Sequence, residues 1–417
     1  MRGPHEDCAL AIGSIVLLLV CGTGPGGSIA ARVAPAEMTP LSPGATSQVA
    51  EAASDRPDRA REPFSAPSDW PSAAVGAAER SPEAVAPPAG ASASVRVDAW
   101  REFDAERRRP IPVRLYTPGV GDGPFPLVVF SPGLGRSVDS CEYLGRQWAA
   151  FGVASVHVGH AGSDEAAWRG SLRPKKTLRE AFENPRNIVA RPRDLCFVLD
   201  QLERMQWAGD PRAKRLDLQR IGAAGYDFGA QSVLALGGQI LPGGVRAADA
   251  RVRAVVAMSP PVDGLPKPYQ AAFGDVKIPC LFITGTEDDG WVGTTTASQR
   301  RIPFDYSPSP KSYLVTLHGA DHMVYAGHPV VAMRGRDDGK YQRVIAAVTT
   351  LFWQAHLGDD PRADAWLSAA DSALGFGGLA RWEVRQLVPA ASVSSAASRF
   401  GATGARTPAT SGAENPR

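Results

Sequence analysis

One aspartate in the sequence occupies a turn whose spacing is typical of a nucleophile. Asp227 lies between two glycines in the run Gly225-Tyr226-Asp227-Phe228-Gly229. An apolar run precedes the first glycine and a helical pattern follows the second, so the segment predicts a strand, a sharp turn and a helix. The spacing is that of the motif G-x-S-x-G, with aspartate in place of serine. Such a turn exposes its central side chain, and a carboxylate there can attack an electrophilic carbon.

An acid and a base follow this turn along the chain. Asp288 comes after the apolar run 281–284, and His322 comes after the apolar run 313–316. Nucleophile, acid and histidine follow one another in this order in sites built around such a turn. The imidazole would take a proton from the nucleophile or from a water, and a buried acid would fix its tautomer. Asp227 could instead be an ordinary turn residue, and two histidines and two serines are alternatives for the base and the nucleophile: His318, His328, Ser232 and Ser259.

The segment after the first buried strand could bind a developing negative charge. Residues 131–136 read Ser-Pro-Gly-Leu-Gly-Arg, and the glycines let the backbone turn toward Asp227. The N–H groups of Leu134 and Phe228 are expected to converge on the reacting oxygen, as an acyl-transfer site requires. A turn that merely connects a strand to a helix is the alternative.

Apolar runs alternate with helical patterns through the middle of the chain. The region 95–116 predicts a strand pair at a sheet edge, and later runs predict further strands at 127–130, 153–158, 221–224, 252–258, 281–284 and 313–316. Helical periodicity is found at 142–151, around 195–202 and at 344–355. This alternation predicts a mostly parallel sheet with helices on both faces. Sites in such sheets form beyond the carboxyl ends of the strands, where all the candidate residues lie.

The first 30 residues predict a secretory signal peptide. Arg2 precedes the apolar run 8–21, and residues 28–30 (Ser-Ile-Ala) form a small-x-small cleavage site. The apolar run is too short for a comfortable membrane span. A lipoprotein signal is the alternative, and membrane contact is expected only if Cys21 is lipidated. The sequence therefore predicts export to the periplasm, the medium or the cell surface.

The composition of the chain separates one domain from two flanking segments. Residues 31–92 and 390–417 are rich in Ala, Pro, Ser and Gly, so they predict a disordered tether and a disordered tail. The region 93–389 predicts a single domain. A net charge of +2 without a basic block argues against a nucleic-acid partner. The cysteines of the domain lack the spacing of a disulfide framework or a metal site.

Five segments together resemble a known group of enzymes. They are SPGLGRS (131–137), RPRDLCFVLDQL (191–202), GYDFGA (225–230), ITGTEDD (283–289) and HGADHMVYAG (318–327). The set resembles the bacterial dienelactone-hydrolase-like esterases and is similar to the plasma-type platelet-activating-factor acetylhydrolases, over residues 112–357. The resemblance implies the α/β-hydrolase fold and hydrolysis of carboxylic esters, including short acyl chains on lipids, without a cofactor. It implies Asp288 as acid, His322 as base, and Leu134 and Phe228 as oxyanion donors.

The sequence departs from this family at two positions. Pro132 replaces a histidine of the oxyanion turn, and Asp227 replaces the serine. A carboxylate that attacks an ester would form a mixed anhydride, which is less stable than the ester consumed. A carboxylate that attacks a saturated carbon forms an alkyl ester, which water activated by histidine can cleave. The turn at Asp227 resembles that of haloalkane dehalogenases and epoxide hydrolases, but their H-G-x-P turn is absent.

Three hypotheses follow from these features. The first is a secreted hydrolase that acts on a small-molecule ester, a lipid-like ester or a related electrophile, with Asp227 as nucleophile or general base. The second is an epoxide hydrolase or haloalkane dehalogenase with Asp227 as nucleophile. The third is a non-catalytic descendant that binds a ligand.

Three insertions at the carboxyl face are expected to select the substrate. They span residues 161–190, 260–277 and 290–311. Their aromatic side chains would contact an acyl or aryl group: Trp168, Tyr269, Phe273, Trp291 and Phe304. Alternatively, these aromatic residues only pack the insertions onto the domain.

Overall fold

The computed structural model describes residues 94–327, 338–369, 376 and 378–385. The predicted signal peptide, tether and tail lie outside the described residues, and so does His328. No helix in the described part of the chain is long and apolar enough to span a membrane.

The described residues form one mixed β-sheet. Its strands are β1 (Val95–Asp104), β2 (Arg109–Pro118), β3 (Phe125–Ser131), β4 (Ala154–Val158), β5 (Leu216–Tyr226), β6 (Val252–Met258), β7 (Cys280–Glu287), β8 (Ser312–Asp321) and β9 (Ala380–Arg385). The spatial order is β1-β2-β4-β3-β5-β6-β7-β8-β9. In this order the strands from β4 to β8 pair in parallel, while the pairings β1–β2, β2–β4 and β8–β9 at the two edges are antiparallel. The α/β class with a mostly parallel sheet is therefore confirmed.

Helices cover both faces of this sheet. They are α1 (Glu142–Ala150), α2 (Pro174–Glu183), α3 (Pro185–Trp207), α4 (Phe228–Leu236), α5 (Gln270–Phe273), α6 (Ile302–Tyr306), α7 (Gly339–His356) and α8 (Pro361–Ser368). Successive residues of β3 alternate between two apolar clusters, because side chains of a strand point to opposite faces. The helices α1 and α7 pack in one cluster, and α3 and α4 pack in the other. Every residue of β3 is buried, as a strand covered on both faces requires.

Two helices begin with a side chain that caps their first turn. The Asn184 side chain accepts a hydrogen bond from the Arg186 N–H, and Pro185 is the first residue of α3. Asp360 accepts from the Arg362 N–H in the same way at the start of α8. A capping side chain satisfies a backbone donor that has no partner within the helix, and a proline fits the first helical position.

The structure adds elements that the apolar patterns did not predict. Helix α2 lies inside the first insertion, and its one buried residue, Leu178, gives no apolar stripe in the sequence. Helix α8 and strand β9 follow the last predicted helix. Strand β9 is short, and Trp382 packs it onto Tyr313 of β8 with the ring centroids 5.5 Å apart.

A buried histidine on β4 predicts how stability depends on pH. His157 is fully buried, its ring is stacked on Phe130, and burial lowers its pKa to about 3. The unfolded chain takes up a proton at this residue below about pH 6.5, whereas the folded protein does so only near its lowered pKa. The folded state therefore loses stability as the pH falls from about 6.5 toward the folded pKa.

The substitution His157→Phe removes this pH-dependent contribution to stability while keeping an aromatic ring in the core. Between pH 6 and pH 4, we expect the free energy of unfolding of the variant to fall less steeply than that of the wild type, by about 1.4 kcal/mol per pH unit. Urea unfolding at several pH values measures both slopes. Equal slopes would show that His157 takes up its proton in the folded protein as well.

Candidate active site

The turn between β5 and α4 holds Asp227 in an unusual backbone conformation. Its φ is 54° and its ψ is −121°, a combination that is uncommon for a residue other than glycine. The Asp227 N–H donates to the Met258 carbonyl at 2.9 Å, which ties the turn to the end of β6. A Cβ on Gly225 would lie 2.3 Å from the Gly229 oxygen, and one on Gly229 would lie 1.9 Å from the Ser131 oxygen. Both positions therefore require glycine.

The two carboxylate oxygens of Asp227 face different groups. Oδ2 accepts a hydrogen bond from the Leu134 N–H at 3.0 Å. Oδ1 lies 3.6 Å from Nε2 of His322. The carboxylate is thus held by the backbone donor on one side and faces the imidazole on the other.

His322 and Asp288 form a close pair behind Asp227. Nδ1 of His322 lies 2.9 Å from Oδ1 of Asp288, whose side chain is fully buried. An N–H at Nδ1 that donates to Asp288 would leave Nε2 free to accept a proton on the Asp227 side. The structure therefore brings the three predicted residues into one line, from Asp227 through His322 to Asp288. His318, the alternative base within the described residues, has an exposed side chain.

Four side chains surround Asp288, and of these the sequence had indicated only Ser259, as an alternative nucleophile. They are Ser259, Thr284, Arg300 and Tyr325, which approach the carboxylate at 2.8, 3.1, 3.1 and 3.2 Å. They come from different parts of the chain, so their convergence depends on the tertiary fold. Only the position of Ser259, directly after β6 at the carboxyl end of the sheet, could have indicated a role beforehand. Both oxygens of the buried carboxylate thus have hydrogen-bond partners, as a buried polar group requires.

Neither alternative serine is placed as a nucleophile. Ser259 is fully buried, and its Oγ lies 2.9 Å from Nδ1 of His322, on the side of the ring opposite to Asp227. Ser232 is buried within α4 and donates to the Phe228 carbonyl at 2.8 Å. Neither side chain lines the cavity above Asp227.

Of the two predicted oxyanion donors, one contacts the Asp227 carboxylate and the other begins the helix that follows it. Leu134 donates to it, as described, and Phe228 is the first residue of α4. The Phe228 N–H makes no hydrogen bond with another residue in the described part of the chain. It is therefore available to a second oxygen ligand, as the first N–H groups of a helix commonly are.

A buried arginine supports the turn that carries Leu134. Arg191 on α3 donates to the Pro132 carbonyl and, at 3.2 Å, to the Ser131 hydroxyl. Its guanidinium also stacks over the Phe228 ring at 4.6 Å. Burial lowers the pKa of Arg191 to about 9, and the negative charge of Asp227 partly opposes this shift. The hydrogen bond from Arg191 thus reaches the backbone carbonyl of Pro132. The side chain at position 132, where the resembling family has histidine, is not needed for this hydrogen bond.

A second group beneath the turn has the geometry of a serine, histidine and aspartate triad. Ser131 Oγ lies 2.9 Å from Nε2 of His160, and Nδ1 of His160 lies 3.0 Å from Oδ2 of Asp194. All three residues are fully or almost fully buried, and none lines the cavity. Burial lowers the pKa of His160 to about 3. Without access for a substrate, this group serves as a polar support for the turn, and Arg107 and Arg109 pair with its aspartate.

A cavity of about 700 Å³ opens above Asp227. Trp168 and Trp291 line it, whereas Tyr269, Phe273 and Phe304 do not. Phe273 and Phe304 are buried in the apolar core, and Tyr269 packs against that core. Two of the five aromatic residues in the insertions are thus placed to contact a ligand, and the other three hold the insertions onto the domain.

The walls of the cavity carry more negative than positive groups. Six carboxylates line it, against three basic side chains: Asp227, Asp263, Glu287, Asp289, Asp321 and Asp338 against Arg136, Lys175 and Arg300. This balance favours a neutral or cationic ligand over an anionic one. No cluster of His, Cys, Asp and Glu within the described residues could hold a metal ion.

Comparison of the chain with models of protein families and with curated proteins gives no match.

The three serines near Asp227 are buried, and this predicts how the protein responds to a serine-directed reagent. A fluorophosphonate should not modify the folded wild-type protein, because Ser131, Ser232 and Ser259 are all shielded from solvent. Mass spectrometry of the intact protein measures the adduct. An adduct on Ser259 would contradict the prediction that Asp227 is the attacking group.

Proposed function

We propose that this chain is a cofactor-independent hydrolase of the α/β-hydrolase fold. Asp227 is the nucleophile, His322 is the base that activates water, and Asp288 orients the imidazole. The strand order supports this fold, together with the placement of the three residues after β5, β7 and β8. The observation that carries the proposal is the hydrogen bond from the Leu134 N–H to Asp227 Oδ2.

This hydrogen bond favours a nucleophile that supplies its own oxyanion. With a serine nucleophile, the backbone donors bind the carbonyl oxygen of the substrate. Here the carboxylate already holds the Leu134 donor, while Oδ1 is the oxygen that remains for attack. Attack by Oδ1 on a saturated electrophilic carbon forms an ester while the bond from that carbon to its halide or epoxide oxygen breaks. A halide departs as the anion, whereas an epoxide oxygen stays on the alkyl group and takes a proton from a cationic side chain of the cavity or from water. In that ester Oδ2 is the carbonyl oxygen, and it stays on the Leu134 N–H.

Hydrolysis of the ester then uses the remaining groups. His322 takes a proton from a water molecule, and the resulting hydroxide attacks the carboxyl carbon of Asp227. Oδ2 becomes the oxyanion, which the N–H groups of Leu134 and Phe228 stabilise. Collapse breaks the bond from the carboxyl carbon to Oδ1, and the alcohol product leaves with Oδ1 after taking a proton from His322. The carboxylate is restored with one oxygen from water.

The substrate class follows from the stability of the intermediate. A saturated carbon with a leaving group, as in an epoxide or an alkyl halide, gives an ordinary ester at Asp227. A carboxylic ester would give a mixed anhydride, or would require Asp227 to act as a general base instead. We therefore place an electrophilic saturated carbon first and a small carboxylic ester second. The excess of carboxylates around the cavity supports a neutral or cationic molecule.

The cavity offers few free donors for a leaving group. Tyr226 donates its hydroxyl to the His322 carbonyl, and Trp168 donates its indole N–H to the Gly135 carbonyl. Lys175 and Arg136 line the cavity as cationic donors. We propose that one of them assists departure of the leaving group. The predicted export of the chain would place this reaction outside the cytoplasm.

Turnover in water labelled with oxygen-18 tests the role of Asp227. The protein is offered a panel of epoxides, alkyl halides and short-chain esters, and the peptide containing Asp227 is then analysed by mass spectrometry. We expect one labelled oxygen in its carboxylate, because water attacks the carboxyl carbon. The variant Asp227→Asn keeps the shape of the side chain and should show neither turnover nor label. Turnover without label in the wild type would exclude the covalent route and favour Asp227 as a general base.

The variant Asp227→Ser tests whether the surrounding groups can support chemistry. It restores the motif G-x-S-x-G and frees the Leu134 N–H for a substrate oxygen. We expect one fluorophosphonate adduct at position 227 and short-chain ester hydrolysis above the wild-type level. If this folded variant forms no adduct and the wild type turns over no member of the panel, the non-catalytic hypothesis is favoured instead.

A further inference from the structure

Three charged groups lie against the imidazole of His322. The carboxylate of Asp227 is 3.6 Å from Nε2, and the carboxylate of Asp288 is 2.9 Å from Nδ1. The third is Arg300, whose Nη2 lies 3.3 Å from Nδ1. Its side chain is 1% exposed, so solvent screens its charge only weakly.

Arg300 is held in place by oxygen atoms from two other loops. Its Nε donates to the Asp288 carbonyl at 2.7 Å and lies 3.1 Å from Oδ1 of the same residue. Its Nη1 donates to the Ser259 carbonyl at 2.6 Å. These contacts fix the guanidinium beside both the acid and the base. The guanidinium therefore places a positive charge directly beside the acid and the base.

Two carboxylates around one imidazole create a difficulty for the proposed reaction. Both favour the protonated imidazolium, since an opposite charge within a few ångströms stabilises the charged form. An imidazolium cannot take a proton from water. It would also form an ion pair with Asp227 and reduce the ability of that carboxylate to attack. A site with serine at position 227 would carry only one carboxylate and would not meet this difficulty.

We infer that Arg300 is a positioning residue that offsets the charge of Asp227 and keeps His322 available as a base. Asp227, Asp288 and Arg300 together carry a net charge of −1. A site with serine, histidine and one aspartate carries the same net charge. The inference rests on the proposed function, because this charge offset matters only if Asp227 and His322 act in one reaction.

The other groups near the imidazole do not supply this offset. Burial raises the pKa of Tyr226 and of Tyr325 well above the ordinary value, so both stay neutral. Asp321 is adjacent to His322 in the chain and adds negative charge. Arg136 lines the same cavity but has no hydrogen bond to the imidazole. Within the described residues, Arg300 is the cation in direct contact with the ring.

The titration midpoint of the His322 imidazole, followed by NMR, tests this inference without any substrate. Four proteins are compared: wild type, Arg300→Gln, Asp227→Asn and the double variant. Loss of the positive charge should raise the midpoint by about one to two pH units, and loss of the negative charge should lower it by a similar amount. The double variant should titrate near the wild type, because the two changes cancel.

Two further variants separate charge from shape. Arg300→Lys keeps the charge but not the forked hydrogen bonds, so its midpoint should stay near that of the wild type. Arg301→Gln is the matched control: Arg301 is adjacent, partly exposed, and paired with Asp305 and Glu383. Its loss should not move the midpoint. An unchanged midpoint in folded Arg300→Gln, or an equal shift in Arg300→Lys, would overturn the inference. Should Arg300→Gln fail to fold, an unchanged midpoint in Asp227→Asn would overturn it as well.

The outcome is distinguishable from that of the proposed function. If the four midpoints shift as expected but oxygen-18 does not enter Asp227, the charge offset stands and the covalent route fails. If label enters Asp227 but Arg300→Gln leaves the acidic limb of the pH–rate profile unmoved, the offset fails alone. In the supporting case, this limb moves to higher pH by the same amount as the NMR midpoint.

Discussion

The close approach of two backbones at Gly229 determines the position of the other groups in the site. The first turn of α4 touches the end of β3 at a distance that leaves no room for a side chain. Because of this contact, the turn after β3 can place the Leu134 N–H against Asp227. The direction of that carboxylate in turn decides which of its oxygens faces His322. A displacement of α4 relative to β3 would therefore change both relationships.

Two buried polar networks hold the site from opposite sides. One lies beneath the turn and is centred on Arg191, and the other lies behind the imidazole and is centred on Arg300. Buried charges destabilise a fold unless they are paired and hydrogen-bonded. In both networks the guanidinium donates to backbone carbonyls as well as to side chains, so it holds the backbone of the neighbouring turns in place. Replacing such a pair by well-packed apolar residues is often neutral for stability, whereas removing one partner leaves a buried charge unpaired and destabilises the fold.

The sequence predicted the mostly parallel sheet and indicated that Asp227, Asp288 and His322 would lie at its carboxyl edge, but it did not indicate most of the groups that surround them. Strands such as β6 are continuous apolar runs, and the three site residues each follow such a run. Arg300 carried no such signal, because it lies in the short polar 3-10 helix Ala297–Arg301. Its role depends on contacts with Asp288 and Ser259, which are 12 and 41 residues away in the chain. Similarly, composition could not show that Phe273 faces the core while Trp168 faces the cavity, since both lie in insertions without a regular pattern.

The salt bridges of Asp194 connect the periphery of the sheet to its centre. Arg107 and Arg109 belong to the hairpin formed by β1 and β2 at the sheet edge, and both bind this carboxylate. Through His160 the same carboxylate reaches Ser131, directly before the turn that holds Leu134. Edge strands usually tolerate truncation and sequence changes. The hairpin of β1 and β2 differs, because two of its arginines form ion pairs with a buried carboxylate. Fraying of the hairpin would be transmitted inward as greater mobility of a backbone N–H.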